Sequence, residues 1–123
     1  MYVATVDEPV EPKPDATAYF GAEMGQHDGE LTAVDAHTGT VRWTVDVPGD
    51  PLGGATVVTD LVFTATVQGT ILAYDRASGR LVWKQTAPGG INSWMAAAGD
   101  ELVVPVGSAN PPRLVAYRVP RRP

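Results

Sequence analysis

The chain has 123 residues, of which 44% are hydrophobic and 19% charged, so it suits one modest core and is too short for two independent ones. Nine basic against fourteen acidic side chains leave a formal charge of −5, which repels a nucleic-acid backbone and an anionic bilayer alike. The absence of cysteine excludes disulfides, thiolate metal sites and thiol nucleophiles, no apolar run approaches the ~20 residues of a membrane-spanning helix, and 13 glycines with 11 prolines mark a turn-rich β composition.

Charge is uneven along the chain. Residues 1–60 set eleven acids against Lys13 and Arg42, whereas residues 61–123 set three acids against seven bases. Tyr2–Val6 reads as a first strand. It sits where a secretory leader would, yet Met1 is followed by acids within eight residues and by no basic start or apolar stretch, so no leader is expected. Residues 7–28 mix Pro9, Pro12 and Pro14 with Glu8, Glu11 and Asp15, then Gly21, Gly25, His27 and Asp28, a composition that predicts a solvated loop insertion. Ala18-Tyr19-Phe20 would pin it; the functional alternative is a lid that touches a ligand.

Residues 29–48 then hold strands at Leu31–Val34 and Val41–Val45. Residues 53–85 predict four strands: Ala55–Val58 and Leu61–Thr66 around a Thr59-Asp60 turn, then Ile71–Tyr74 and Leu81–Trp83 joined by Asp75–Gly79. Residues 91–118 predict three: Asn92–Ala98, Glu101–Val106 and Arg113–Tyr117, followed by a tail over 119–123 that Arg121 and Arg122 keep soluble. No window carries a capped 3.6-residue apolar period, so no helix is expected.

The strongest signal comes from sliding the chain against itself by forty positions. Gly29–Trp43 then lies over Gly69–Trp83: Gly29 on Gly69, Ala33 on Ala73, Asp35 on Asp75, Gly39 on Gly79 and Trp43 on Trp83. Pro48-Gly49 falls on Pro88-Gly89 and Asp60 on Asp100, and after a slip of three residues Ala116 takes the place of Ala73. A four-stranded antiparallel unit this small cannot cover both its faces, so repetition implies neighbours that do. A β-propeller or a β-solenoid would satisfy this, and the long period favours the propeller.

The motif resembles the tryptophan-docking repeat of quinoprotein (pyrroloquinoline quinone, PQQ) β-propellers, Ala-x-Asp-x-x-Thr-Gly-x-x-x-Trp, here Ala33, Asp35, Thr38-Gly39 and Trp43, then Ala73, Asp75, Ser78-Gly79 and Trp83. The resemblance spans about residues 29–118 and implies an all-β fragment of about three four-stranded blades. It implies that the chain is the C-terminal portion of a longer propeller, or begins within one, and that the remaining blades or further copies of the chain are its partners. For the parent it implies a PQQ-dependent dehydrogenase of alcohols or sugars, with calcium, outside the cytoplasm. The alternative from the same repeat is a non-catalytic assembly scaffold or ligand-binding module.

Asp35 and Asp75 invite a general-base reading, but a base is needed once and a turn-stabilising residue once per blade, so both are expected to be structural. Trp43 and Trp83 are expected to wedge neighbouring blades together, since a buried indole brings a large apolar area and one N–H that needs a partner. His27 and His37 have no carboxylate spacing that resembles a metal site. No catalytic residue and no metal ligand is assigned; the vicinal cysteines, calcium ligands and base aspartate of the alcohol-oxidising members find no match, so a complete site is expected upstream of Met1. The innermost strands and the loops before them face the axial funnel in such a fold, which singles out Asp50, Gly53, Gly54, Asn92, Ser93 and Trp94. Of these, Gly53, Gly54, Asn92 and Trp94 are the candidate cofactor contacts; Trp94 either closes the core of the last blade or faces the funnel.

Overall fold

The computed structural model describes residues 1–8 and 25–119. The loop reading of residues 9–24 and the tail arginines Arg121 and Arg122 lie outside these residues. Ten strands and no helix make up the described residues: β1 (Tyr2–Val6), β2 (Gly29–Val34), β3 (Val41–Val47), β4 (Thr56–Val58), β5 (Leu61–Ala65), β6 (Thr70–Asp75), β7 (Leu81–Thr86), β8 (Ala96–Ala98), β9 (Glu101–Val106) and β10 (Arg113–Arg118). They form three antiparallel sheets in the orders β1-β2-β3, β4-β5-β6-β7 and β8-β9-β10, an all-β propeller fragment.

Alternation along the strands decides how the sheets stack, because successive side chains point to opposite faces. In the middle sheet both faces are apolar. Val62, Leu72 and Tyr74 pack with Leu31 and Val47 of the first sheet, while Phe63, Ala65, Ile71 and Ala73 pack with Leu102, Val104 and Val106 of the third. Every residue of β5 is accordingly buried. The outer sheets bury one face each: β2 alternates buried and half-buried positions, and β9 does so from Leu102 onward.

The turn that leads into the outermost strand is built twice with the same bonds. Asp35 Oδ1 accepts the N–H groups of His37 at 3.0 Å and Thr38 at 3.2 Å; Asp75 Oδ1 accepts those of Ala77 at 3.1 Å and Ser78 at 2.8 Å. Gly39 and Gly79 both take φ of +73°, the left-handed conformation that glycine adopts without a steric penalty. A register shift precedes each turn, at Ala33/Val34 and again at Ala73/Tyr74.

The inner strand of the third sheet is shorter than expected. The sequence predicts Asn92–Ala98, yet β8 begins only at Ala96. Ile91 (fully buried) and Met95 (4% exposed) are drawn into the core from both ends of that stretch, which shapes it as a loop and pushes Trp94 outward to 76% exposure. Closure of the blade core by Trp94 is therefore corrected.

Candidate functional site

Three groups of residues lie where the sheets meet: the indoles of Trp43 and Trp83, a buried carboxylate, and the rim between the second and third sheets. At the first junction Trp43 Nε1 donates to the Arg76 carbonyl at 3.1 Å. A Cβ built on Gly79 would lie 2.8 Å from Trp43 Cδ2, so the indole rests directly on that glycine of the next sheet. Tyr2 flanks the ring at 5.8 Å between centroids. Arg76 adds a tie across the junction, donating from Nε to the Tyr2 hydroxyl at 3.1 Å, and donates from Nη1 to the Thr59 carbonyl of its own unit at 3.2 Å. At the second junction the indole makes ring contacts and donates no hydrogen bond to a described acceptor. Trp83 meets Phe63 and Tyr117 edge to face, each at 6.3 Å.

Asp35 and Asp75 hold backbone N–H groups in their own turns. The Arg42 side chain at 2.5 Å, with the N–H groups of His37 and Thr38, brings the Asp35 carboxyl down from 3.8 to about 2. A carboxylate held so far below neutrality is a poor general base at pH 7.

Asp50, expected on the funnel rim, is only 2% exposed, which corrects that placement. Its carboxylate accepts from Gly25 N at 2.5 Å, His27 N at 2.9 Å and the Gln68 amide at 3.3 Å. Burial pushes the Asp50 carboxyl up, but these donors outweigh it and hold the group below its ordinary value. Two partners of this tie escaped the sequence reading. Gln68 also accepts from Asp50 N at 3.1 Å, and Asp28 accepts from Gly49 N at 2.9 Å. The signal was present in the forty-residue offset, which aligns Asp28-Gly29 with Gln68-Gly69. His27 packs here with its Nδ1 buried and without a partner among the described residues.

The rim brings Gly53, Gly54, Ser93 and Trp94 together. A Cβ on Gly53 would lie 3.0 Å from the Ala65 carbonyl oxygen and 3.3 Å from that of Ser93, so any side chain there would push these segments apart by a few tenths of an ångström. Gly54, at φ +64°, lies beneath the Trp94 indole, and a Cβ there would overlap Nε1 and Cδ1 of that ring. Thr56 Oγ1 donates to the Met95 carbonyl at 2.9 Å and ties β4 to the loop before β8. Asn92 is exposed and stands apart, on the side of Gly107.

A flat indole face over a glycine step suits one wall of a planar-ligand site. It does not suit a divalent cation: calcium takes six to eight oxygen ligands, and among the described residues no three His, Cys, Asp or Glu side chains converge as such a site would require. The residues present therefore fit no quinone–calcium centre of their own, and no reaction step is assigned to them.

The stacked sheets and their twice-built turn define a PQQ-type β-propeller segment. Residues 27–118 match the family described as outer membrane protein assembly factor BamB, and the chain belongs to that family. It is 35% identical over 57 residues to a polyvinylalcohol dehydrogenase of Pseudomonas sp, covering 46% of this chain and 9% of that protein. It is 30% identical over 70 residues to the assembly factor BamB of Nitrosomonas eutropha, covering 57% of this chain and 17% of that protein. Among solved structures, a europium-containing methanol dehydrogenase superposes with a TM-score of 0.62 at 19% identity, over 74% of this chain and 19% of that one, a likeness of fold. The chain thus spans less than a fifth of each of these proteins.

Proposed function

We propose that this chain is the blade-packing and ring-closing portion of a PQQ-type propeller, with the docking tryptophans Trp43 and Trp83 joining its blades and no catalytic group of its own. The observation that carries this reading is the Trp43 indole seated on Gly79 and bonded to the Arg76 carbonyl, a contact made between sheets and not toward a ligand. On this reading the parent is a quinoprotein dehydrogenase of alcohols or sugars acting outside the cytoplasm; the likeness to a polyvinylalcohol dehydrogenase supports it. Gly53, Gly54, Asn92 and Trp94 then belong to the funnel wall, where the 76%-exposed indole offers a face to a planar quinone. The non-catalytic scaffold is the competing reading, which the family match to an assembly factor supports.

The test adds PQQ and calcium to the purified chain with a dye acceptor while following tryptophan fluorescence. The expected result is no dye reduction, with quenching that is lost in Trp94→Ala. Dye reduction by the chain alone would refute the non-catalytic role of the segment. Quenching unchanged in Trp94→Ala would remove the funnel-wall role and favour the scaffold.

A further inference from the structure

Between the inner turns of the second and third sheets lies a cleft of about 280 Å³. Its floor is apolar, formed by Leu61, Phe63, Leu102 and Val119, and its mouth carries Asp60, Asp100 and Glu101. A Cβ built on Gly99 at that mouth would meet nothing within 4 Å.

The internal repeat tells what such a place accommodates. The inner turns correspond: Thr59 (φ +50°) and Gly99 (φ +64°) occupy the same left-handed position, forty residues apart. The chain returns to each turn with the same bond, since Arg76 N donates to the Asp60 carbonyl and Val119 N to the Asp100 carbonyl, both at 2.8 Å. Val119 is thus the counterpart of Arg76 once the three-residue slip in the third unit is included. At the first junction the Arg76 guanidinium spans from the Thr59 carbonyl to the Tyr2 hydroxyl. At the second, Tyr2 is matched by Phe63, since the two pair with Ala33 and Ala73 respectively, and the short Val119 side chain does not reach across.

We infer that this cleft binds the arginine side chain of a partner protein. A guanidinium entering over Val119 would find the Gly99 carbonyl where Arg76 finds that of Thr59, and would meet the carboxylates of Asp100 and Glu101. Asp100 faces only a loose pairing with Arg118 Nε, at 3.9 Å. The planar fork of arginine fits a carbonyl and a carboxylate together, whereas a lysine ammonium is a single point charge. An apolar floor below a charged mouth suits a side chain with a methylene stem and an ionic head. The inference is independent of any quinone reading.

The experiment titrates the full chain, labelled with ¹⁵N, with Nα-acetyl-arginine amide, and in parallel with the acetyl amides of lysine and of citrulline, the neutral isostere of arginine. Saturable shifts centred on Gly99, Glu101 and Val119 are expected with the arginine probe, about tenfold weaker with lysine and absent with citrulline. Glu101→Gln should weaken binding several-fold. Val119→Arg, which supplies the side chain found at the earlier repeat, should abolish it while the dispersed spectrum shows an intact fold. No saturable shift, equal binding of citrulline or lysine, or undiminished binding by Val119→Arg would each overturn the inference.

Discussion

Asp35 and Asp50 are carboxylates employed as acceptors for backbone N–H groups, one half-buried in a turn and one sealed between loops. Both lie below their ordinary values in the folded chain, Asp35 at about 2. The unfolded chain therefore takes up protons first as pH falls, so the contribution of each is complete above the ordinary carboxylate value of 3.8 and is lost below it, for Asp35 on descent toward about 2. Urea midpoints measured between pH 5 and pH 2 should fall through that window, and the Asp35 carbon resonance should titrate near its lower end. Arg42→Ala should move the Asp35 midpoint back up, because the guanidinium is the largest cause of its depression. A midpoint unchanged by that substitution would show the pairing absent in solution. The turn role of Asp35 was legible from its recurrence at Asp75. The burial of Asp50 was not, because its donors come from Gly25, His27 and Gln68, which are 25, 23 and 18 positions away.

At the scale of elements, the two junctions differ in kind. Around the first indole the contact is polar and directional, with Trp43, Arg76 and Tyr2 linked by hydrogen bonds; around the second it is an edge-to-face cluster of Phe63, Trp83 and Tyr117. Trp43→Phe keeps most of the apolar contact and removes the indole donor, and should cost ~1 kcal/mol, the usual net worth of one hydrogen bond. Trp83→Phe removes no bond to a described acceptor and should cost mainly lost contact area. Alanine at either position should cost ~3–5 kcal/mol, the range for deleting a large packed aromatic side chain. Denaturant midpoints of the four variants check this, and an alanine loss below ~1 kcal/mol would show that the ring does not join the sheets. Strand positions of the second unit were readable because its β-branched and aromatic runs are bounded by turn residues. The stretch before β8 was misread, because Ile91 and Met95 look the same in sequence whether they alternate along a strand or anchor a loop from both ends.

For the whole molecule, the middle sheet is covered on both faces while the outer sheets are not. On the third sheet the uncovered face holds Leu114 at 74% exposure, with Ala96, Val103 and Ala116 paired across the strands. β10 also ends its sheet with no strand beyond it among the described residues. An apolar face beside an open strand edge favours association. Light scattering should report an apparent mass above 13.0 kDa that rises with concentration, and Leu114→Glu should lower it. A clean monomer at all concentrations would contradict the expectation.

The sequence by itself determined the strand-and-turn grammar and the period, because both depend on local backbone preference repeated at fixed spacing: aspartate and glycine make the turn, and alternating apolar residues make strands with two usable faces. Tertiary structure alone decided which face each sheet presents to its neighbour, that Arg76 reaches Tyr2 from 74 positions away, that Asp50 is sealed in, and that Trp94 lies outside the core. Those outcomes depend on which blades are adjacent and how closely they pack, and a side chain's burial is a property of the surface opposite it, which the residue's own neighbours in the chain do not encode.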